Sequence, residues 1–140
     1  MKVRDIMTSE VQCATPNSTL MDVAKMMKQE DIGSVPVCEQ DRLLGMVTDR
    51  DIVIRAVAMG HDVNSMKASE VMSKNVTTIG ADADIHEAAD LMSSKQIRRL
   101  PVVEQGILIG IIALGDLAVE QIHVDEAGEA LSDISQGVHH

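Results

Sequence analysis

The chain has 140 residues, 45% of them apolar, with ten Met, no Phe, Tyr or Trp, and a formal net charge of −10. A chain of this length buries roughly 70% of its unfolded surface, so a core of Val, Ile, Leu, Ala and Met is expected. The charge argues against a general nucleic-acid binder, which needs dense Lys and Arg against phosphate. The longest apolar run, Ile107 to Leu114, is far short of a membrane span, and a cytoplasmic protein is expected.

Taken in chain order, Gln12-Cys13-Ala14 reads as a short strand, followed by a polar turn and then a helix. In that helix Leu20, Val23, Ala24 and Met27 keep the i, i+3, i+4, i+7 spacing of one buried face, with Thr19 and Asp22 as an N-terminal capping pair. Val35 to Cys38 and Leu43 to Val47 flank the polar Glu39-Gln40-Asp41-Arg42 and predict a hairpin. A second helix is predicted from about Asp49 to Met59. Residues 60–67 form a polar linker.

The same order then returns. Val76 to Ile79 predicts a strand, and Ile85, Ala88, Ala89 and Met92 predict a helix capped by Asp84 with Glu87. Leu100 to Val103 and Ile107 to Ile112 around Glu104-Gln105-Gly106 predict a hairpin. A last helix is predicted from Leu114 to at least Ile122, extended by the acidic tail through Ile134. Residues 6–53 and 71–118 align without a gap at an offset of 65, and twelve of the 48 pairs are identical. A spacing kept while the letters change implies two copies of one β-α-β-β-α unit packed on each other. The expected organisation is repeat 1 at 1–59, linker 60–67, repeat 2 at 68–122 and a C-terminal helical tail at 123–140. The fold class is α/β (α+β).

The residues Val3-Arg4-Asp5-Ile6-Met7-Thr8, Ile32-Gly33-Ser34-Val35-Pro36-Val37 and Leu44-Gly45-Met46-Val47-Thr48-Asp49-Arg50-Asp51 form one motif set. Their second copy is Val71-Met72-Ser73, Ile97-Arg98-Arg99-Leu100-Pro101-Val102 and Ile109-Gly110-Ile111-Ile112-Ala113-Leu114-Gly115-Asp116. This pattern resembles a tandem pair of CBS domains, the regulatory module attached to IMP dehydrogenase and to the γ subunit of AMP-activated kinase. Here it covers residues 1 to about 122 with no catalytic domain alongside, as in stand-alone bacterial CBS proteins. The resemblance implies pseudo-twofold packing of the repeats, with clefts between them that bind adenine nucleotides or related adenosyl compounds.

The motif at Thr48-Asp49-Arg50-Asp51 suits such a ligand. A helix starting here aims unpaired N–H groups and the positive end of its dipole at an anion, the Thr48 hydroxyl adds a bond to phosphate, and Asp51 accepts from a ribose diol. Thr-x-x-Asp is equally an ordinary capping box, and both roles can coexist. By the resemblance Arg98 and Arg99 hold phosphate oxygens opposite this motif, and Val76, Thr77 and Ile97 bound the base. The second cleft has Asp116 but Ala113 in place of Thr48, and is expected to be weaker. Gln12, Cys13, Ile32, Gly33 and Ser34 face it.

The ligand class is AMP, ADP, ATP or S-adenosylmethionine, with no cofactor required, no metal and an unknown protein target. A homodimer through the CBS helices is expected. The alternative is a ligand-free dimerisation scaffold, with an added redox switch through Cys13 and Cys38. Catalysis is not expected. His61, His86 and His123 lie on a linker or on helices, without a nucleophile elbow or a Gly-rich phosphate loop.

Overall fold

The computed structural model describes residues 1–119. In chain order its elements are α1 (Val3–Ile6), α2 (Leu20–Glu30), β1 (Ser34–Glu39), β2 (Arg42–Thr48) and α3 (Asp49–Asp51). A π-helical stretch, Ile52–Val57, carries α3 onward. Then come α4 (Ala68–Val71), α5 (Ile85–Lys95), β3 (Arg99–Glu104), β4 (Ile107–Ala113) and α6 (Leu114–Val119). The expected continuation of the last helix past residue 119, and the tail at 123–140, lie outside the described residues.

The elements fall into two compact units. One is Gln12–Val76; the other joins Met1–Val11 to the chain from Thr77 onward. The units and the sequence repeats are therefore offset from each other. Each repeat is preceded by a short leader, and the leader packs with the other repeat. Val3, Ile6 and Met7 belong to the core of Ile85, Ala88, Met92, Leu100, Val102, Ile112 and Leu117. Ala68, Val71 and Met72 belong to the core of Leu20, Val23, Val35, Val37, Val47 and Ala56.

Backbone bonds fix the exchange at the same places twice. In one unit Val3 N donates to Ala83 O and Arg4 N to Ala81 O, both at 2.9 Å; in the other Ala68 N donates to Ser18 O at 2.8 Å and Ser69 N to Pro16 O at 3.1 Å. Thr8 and Ile111 exchange two bonds of 2.9 Å, and Ser73 and Met46 exchange bonds of 2.8 and 3.0 Å. A glycine on the hairpin's second strand makes room for each leader. A Cβ on Gly45 would stand 2.7 Å from Ser73 O and 2.9 Å from Met72 Sδ. One on Gly110 would stand 2.7 Å from Met7 Sδ and 2.9 Å from Thr8 O.

Both long helices form as the periodicity predicts, with Leu20, Val23 and Met27 buried on α2 and Ile85, Ala88, Ala89 and Met92 buried on α5. Thr19 caps α2 through Asp22 N. Asp84 caps α5 by accepting from His86 N at 2.8 Å; the expected partnership with Glu87 does not carry the cap. Each helix stops at a left-handed residue, Asp31 or Gln96.

The hairpins pair antiparallel around two-residue turns. Gln40-Asp41 and Gln105-Gly106 all take positive φ, the geometry that matches the twist of the flanking strands. The opening strand of each copy is shorter than predicted. It is a single parallel bridge, Ala14 to Val37 in one unit and Ile79 to Val102 in the other.

Candidate functional site

In the unit Gln12–Val76, the candidate site is the junction where β2 ends and α3 begins. Thr48 and Asp51 form a closed capping box, with Thr48 N donating to Asp51 Oδ2 at 2.9 Å and Asp51 N donating to Thr48 Oγ1 at 3.0 Å. Asp49 N donates to Gly33 O at 2.9 Å, and Arg50 N to Asp49 Oδ1 at 2.8 Å. The first three N–H groups of the helix thus have acceptors within the chain. This corrects the expectation of unpaired donors aimed at an anion: side chains and a neighbouring turn satisfy them locally. Asp51 is mostly buried, with 17% of its side chain exposed, and its Oδ1 stands 3.8 Å from Arg55 Nε. Arg55 in turn donates from Nη1 to Val71 O at 3.0 Å, which ties the π-helical stretch to the exchanged leader α4.

The other unit repeats the junction with one group missing. Ala113 N donates to Asp116 Oδ2 at 2.8 Å, and Leu114 N donates to Arg98 O at 2.8 Å, as Asp49 N does to Gly33 O. Ala113 has no hydroxyl, so the reciprocal half of the box cannot form. Arg99, at the start of β3, is registered opposite Ala113. Burial pulls the Arg99 guanidinium below its ordinary value, and the nearby Asp116 charge pushes the other way. Arg98 and Arg99 therefore border the Asp116 junction of their own repeat.

Of the base-lining candidates, Ile97 packs against the core of its unit. Val76 and Thr77 are partly exposed and lie on either side of the point where the chain leaves one unit for the other. The sequence reading missed the carbonyls of Gly33 and Arg98, which receive the helix N–H in both units, and it missed Arg55 beside Asp51. The 65-residue offset maps Gly33 onto Arg98 and Asp49 onto Leu114, so the first was available in principle. The second depends on a π-helical turn that periodicity does not announce.

Beyond the junction, Asp49, Arg50, Val53 and Ile54 line an open depression of about 310 Å³. Val53, Ile54, Val57 and Met59 are all about half exposed or more, an apolar stripe left on the outer side of the helix. His61 and His86 are exposed, with His86 Nε2 4.0 Å from Asp84 Oδ1. Among the described residues no three His, Cys, Asp or Glu side chains gather as a metal site, and no helix is long and apolar enough to cross a membrane.

Two hairpin units, each with a capped strand-to-helix junction and a leader drawn from the other copy, define a tandem CBS architecture. A profile of the CBS domain matches residues 3–57 and again 68–123, and the chain belongs to that family. It is similar to the CBS domain-containing protein YhcV of Bacillus subtilis, with 46% identity over 138 residues, 98% of each chain. Its fold matches the crystal structure of Hypoxic Response Protein I with two coordinated zinc ions, at TM-score 0.78 and 40% identity over 85% of this chain and 98% of that one. It also matches the CBS domain pair of protein MJ0100 in complex with 5-methylthioadenosine and S-adenosyl-L-methionine. That match has TM-score 0.73 and 28% identity over 86% of this chain and 94% of that one.

Proposed function

We propose that this chain is a regulatory sensor that binds an adenosyl ligand, with the Thr48–Asp51 junction as its preferred ribose and phosphate contact. The observation that carries the reading is the hydrogen-bond arithmetic of the capping box. The Thr48 hydroxyl accepts from Asp51 N, which leaves its own proton to donate to a phosphate oxygen. Asp51 spends Oδ2 on Thr48 N, and its Oδ1, 3.8 Å from Arg55 Nε, would accept from a ribose hydroxyl. Cap and ligand contact are thus compatible in the same two side chains. Asp49 and Val76 belong to the same unit as this helix start, while Thr77, Ile97, Arg98 and Arg99 belong to the unit of the Asp116 junction, where the two arginines would serve a second, weaker phosphate contact. The adenosyl complex of the MJ0100 pair supports the ligand class. A protein partner reads the ligand-bound state, and the ligand shifts that partner only by its differential affinity for the two states.

Thermal shift with AMP, ADP, ATP and S-adenosylmethionine tests the proposal. Stabilisation by at least one of them should vanish in Asp51→Ala and survive, weakened, in Asp116→Ala, since Ala113 cannot donate where Thr48 can. The opposite ranking refutes the assignment.

A second reading, a ligand-free association scaffold, is favoured by the apolar stripe Val53, Ile54, Val57 and Met59. It predicts a homodimer through these helices that Val57→Glu dissociates, and no response to any of the four ligands.

A further inference from the structure

Cys13 and Cys38 are 25 positions apart in sequence, yet their sulfurs are 3.5 Å apart, with the Cys38 thiol donating to Cys13 Sγ. Backbone pairing brings them together. Ala14 N donates to Pro36 O and Cys38 N donates to Ala14 O, both at 2.9 Å, so the segment carrying Cys13 runs parallel to β1. Ala14 and Val37 point into the core, and the flanking Cys13 and Cys38 share the opposite face. The β1–β2 register shifts between Val37 and Cys38, an irregularity of the kind that re-aims a side chain.

The two thiols are unequal in access and chemistry. Cys13 is exposed and Cys38 is buried. Their mutual hydrogen bond lowers the Cys13 thiol and raises the Cys38 thiol, whose burial pushes it further up. Both effects make Cys13 the sulfur that attacks and Cys38 the one that follows.

We propose that Cys13 and Cys38 form a peroxide-sensing dithiol that closes to an intramolecular disulfide within the unit Gln12–Val76. The Cys13 thiolate attacks a hydroperoxide, the O–O bond breaks, and hydroxide or alkoxide leaves with Cys13 oxidised to a sulfenic acid. Cys38 sulfur then attacks the sulfenic sulfur, an S–S bond forms, the S–O bond breaks, and the Cys38 proton leaves with the oxygen as water. Two thiols and one hydrogen peroxide give one disulfide and two waters.

The bond would pin the Cys13 segment to β1 two residues after Val11, where the chain passes from one unit to the other. The device belongs to one repeat only, because the second has Thr78 and Val103 at these positions. It does not depend on ligand binding. Its readout needs no nucleotide, so it can fail or stand apart from the sensor reading.

The full chain, reduced and then treated with stoichiometric hydrogen peroxide, is followed by intact mass and peptide mapping. The expected result is loss of two hydrogens, a Cys13–Cys38 cross-linked peptide, reversal by dithiothreitol, and an oxidised form that melts above the reduced form. In Cys38→Ser, a dimedone adduct should appear on Cys13; in Cys13→Ser, Cys38 should stay unmodified. A Cys13–Cys13 linked dimer, sulfinic acid on Cys13 of the wild-type chain, or two unreacted thiols at peroxide excess would each overturn the proposal. The wild-type peptide map distinguishes these outcomes even where a serine variant misfolds.

Discussion

Replacing Gly45 by Ala tests the exchange of leaders directly. The new Cβ would sit 2.7 Å from Ser73 O, a backbone atom that cannot swing aside as a side chain can. Restoring ordinary contact requires the leader to retreat by roughly 0.5 Å or more. That motion acts on the two bonds between Met46 and Ser73, at 3.0 and 2.8 Å, and on Met72 packed behind them. Losing both bonds removes about 2 kcal/mol, and the disturbed packing brings the cost to about 2–3 kcal/mol. Gly110→Ala should cost about the same, because its Cβ meets Thr8 O at 2.9 Å and Met7 Sδ at 2.7 Å. Urea unfolding should show a lower midpoint with unchanged slope, and the melting temperature should fall by roughly 6–10 °C. Gly80→Ala is the control, since its Cβ meets nothing within 4 Å. If Gly45→Ala and Gly80→Ala unfold within about 0.5 kcal/mol of each other, the leader does not pack where it is described.

Three further outcomes follow from the same geometry. Thr48→Ala should cost about 1 kcal/mol of stability by urea unfolding, and Ala113→Thr should return about as much at the other junction, because the Asp116 side chain already holds its half of the box. A fragment of residues 12–76 should give a cooperative unfolding transition by circular dichroism, and a fragment of residues 1–59 should not, since it lacks Ala68, Val71 and Met72. Asp82 accepts from Arg4 Nε at 2.9 Å and lies 2.7 Å from Arg4 Nη2, and the Arg4 bond and charge hold its carboxyl below the usual carboxylate value. A depressed folded value stabilises above the unfolded one and fades as pH falls through it. The difference between wild type and Arg4→Ala should therefore be small, shrink below about pH 3.8 and weaken in high salt.

Much of this architecture was legible in the chain. The 65-residue offset and the buried period of Leu20, Val23 and Met27 gave the helices, and the polar breaks at Gln40 and Gln105 placed both hairpins. The Thr48–Asp51 box was visible as a motif because its partners are three residues apart. The exchange of leaders was not visible, for a physical reason. Both copies carry the same pattern, so a leader packed on its own repeat and one packed on the other satisfy every local signal equally. Four residues, Val3–Ile6 or Ala68–Val71, are too few to state a preference. The opening strands were read too long because Cys13 and Thr78 belong to extended segments in which a single residue reaches the sheet. The proximity of Arg99 to Asp116 depends on where β3 starts relative to the end of β4, a register that becomes fixed only when the hairpin closes.

The crossing of leaders also orders events during synthesis. Residues 12–76 emerge with all their packing partners, and can close while the ribosome is still adding the second half. Residues 1–11 emerge well before Ala81, Ala83, Gly110 and Ile111, which receive them. At translation speeds of roughly 5–20 residues per second, Val3, Ile6 and Met7 stay in solvent for several seconds with no partner of their own. In that interval a neighbouring nascent chain offers the same docking surface, so crowded polysomes are where two copies would trade the segment of residues 1–11.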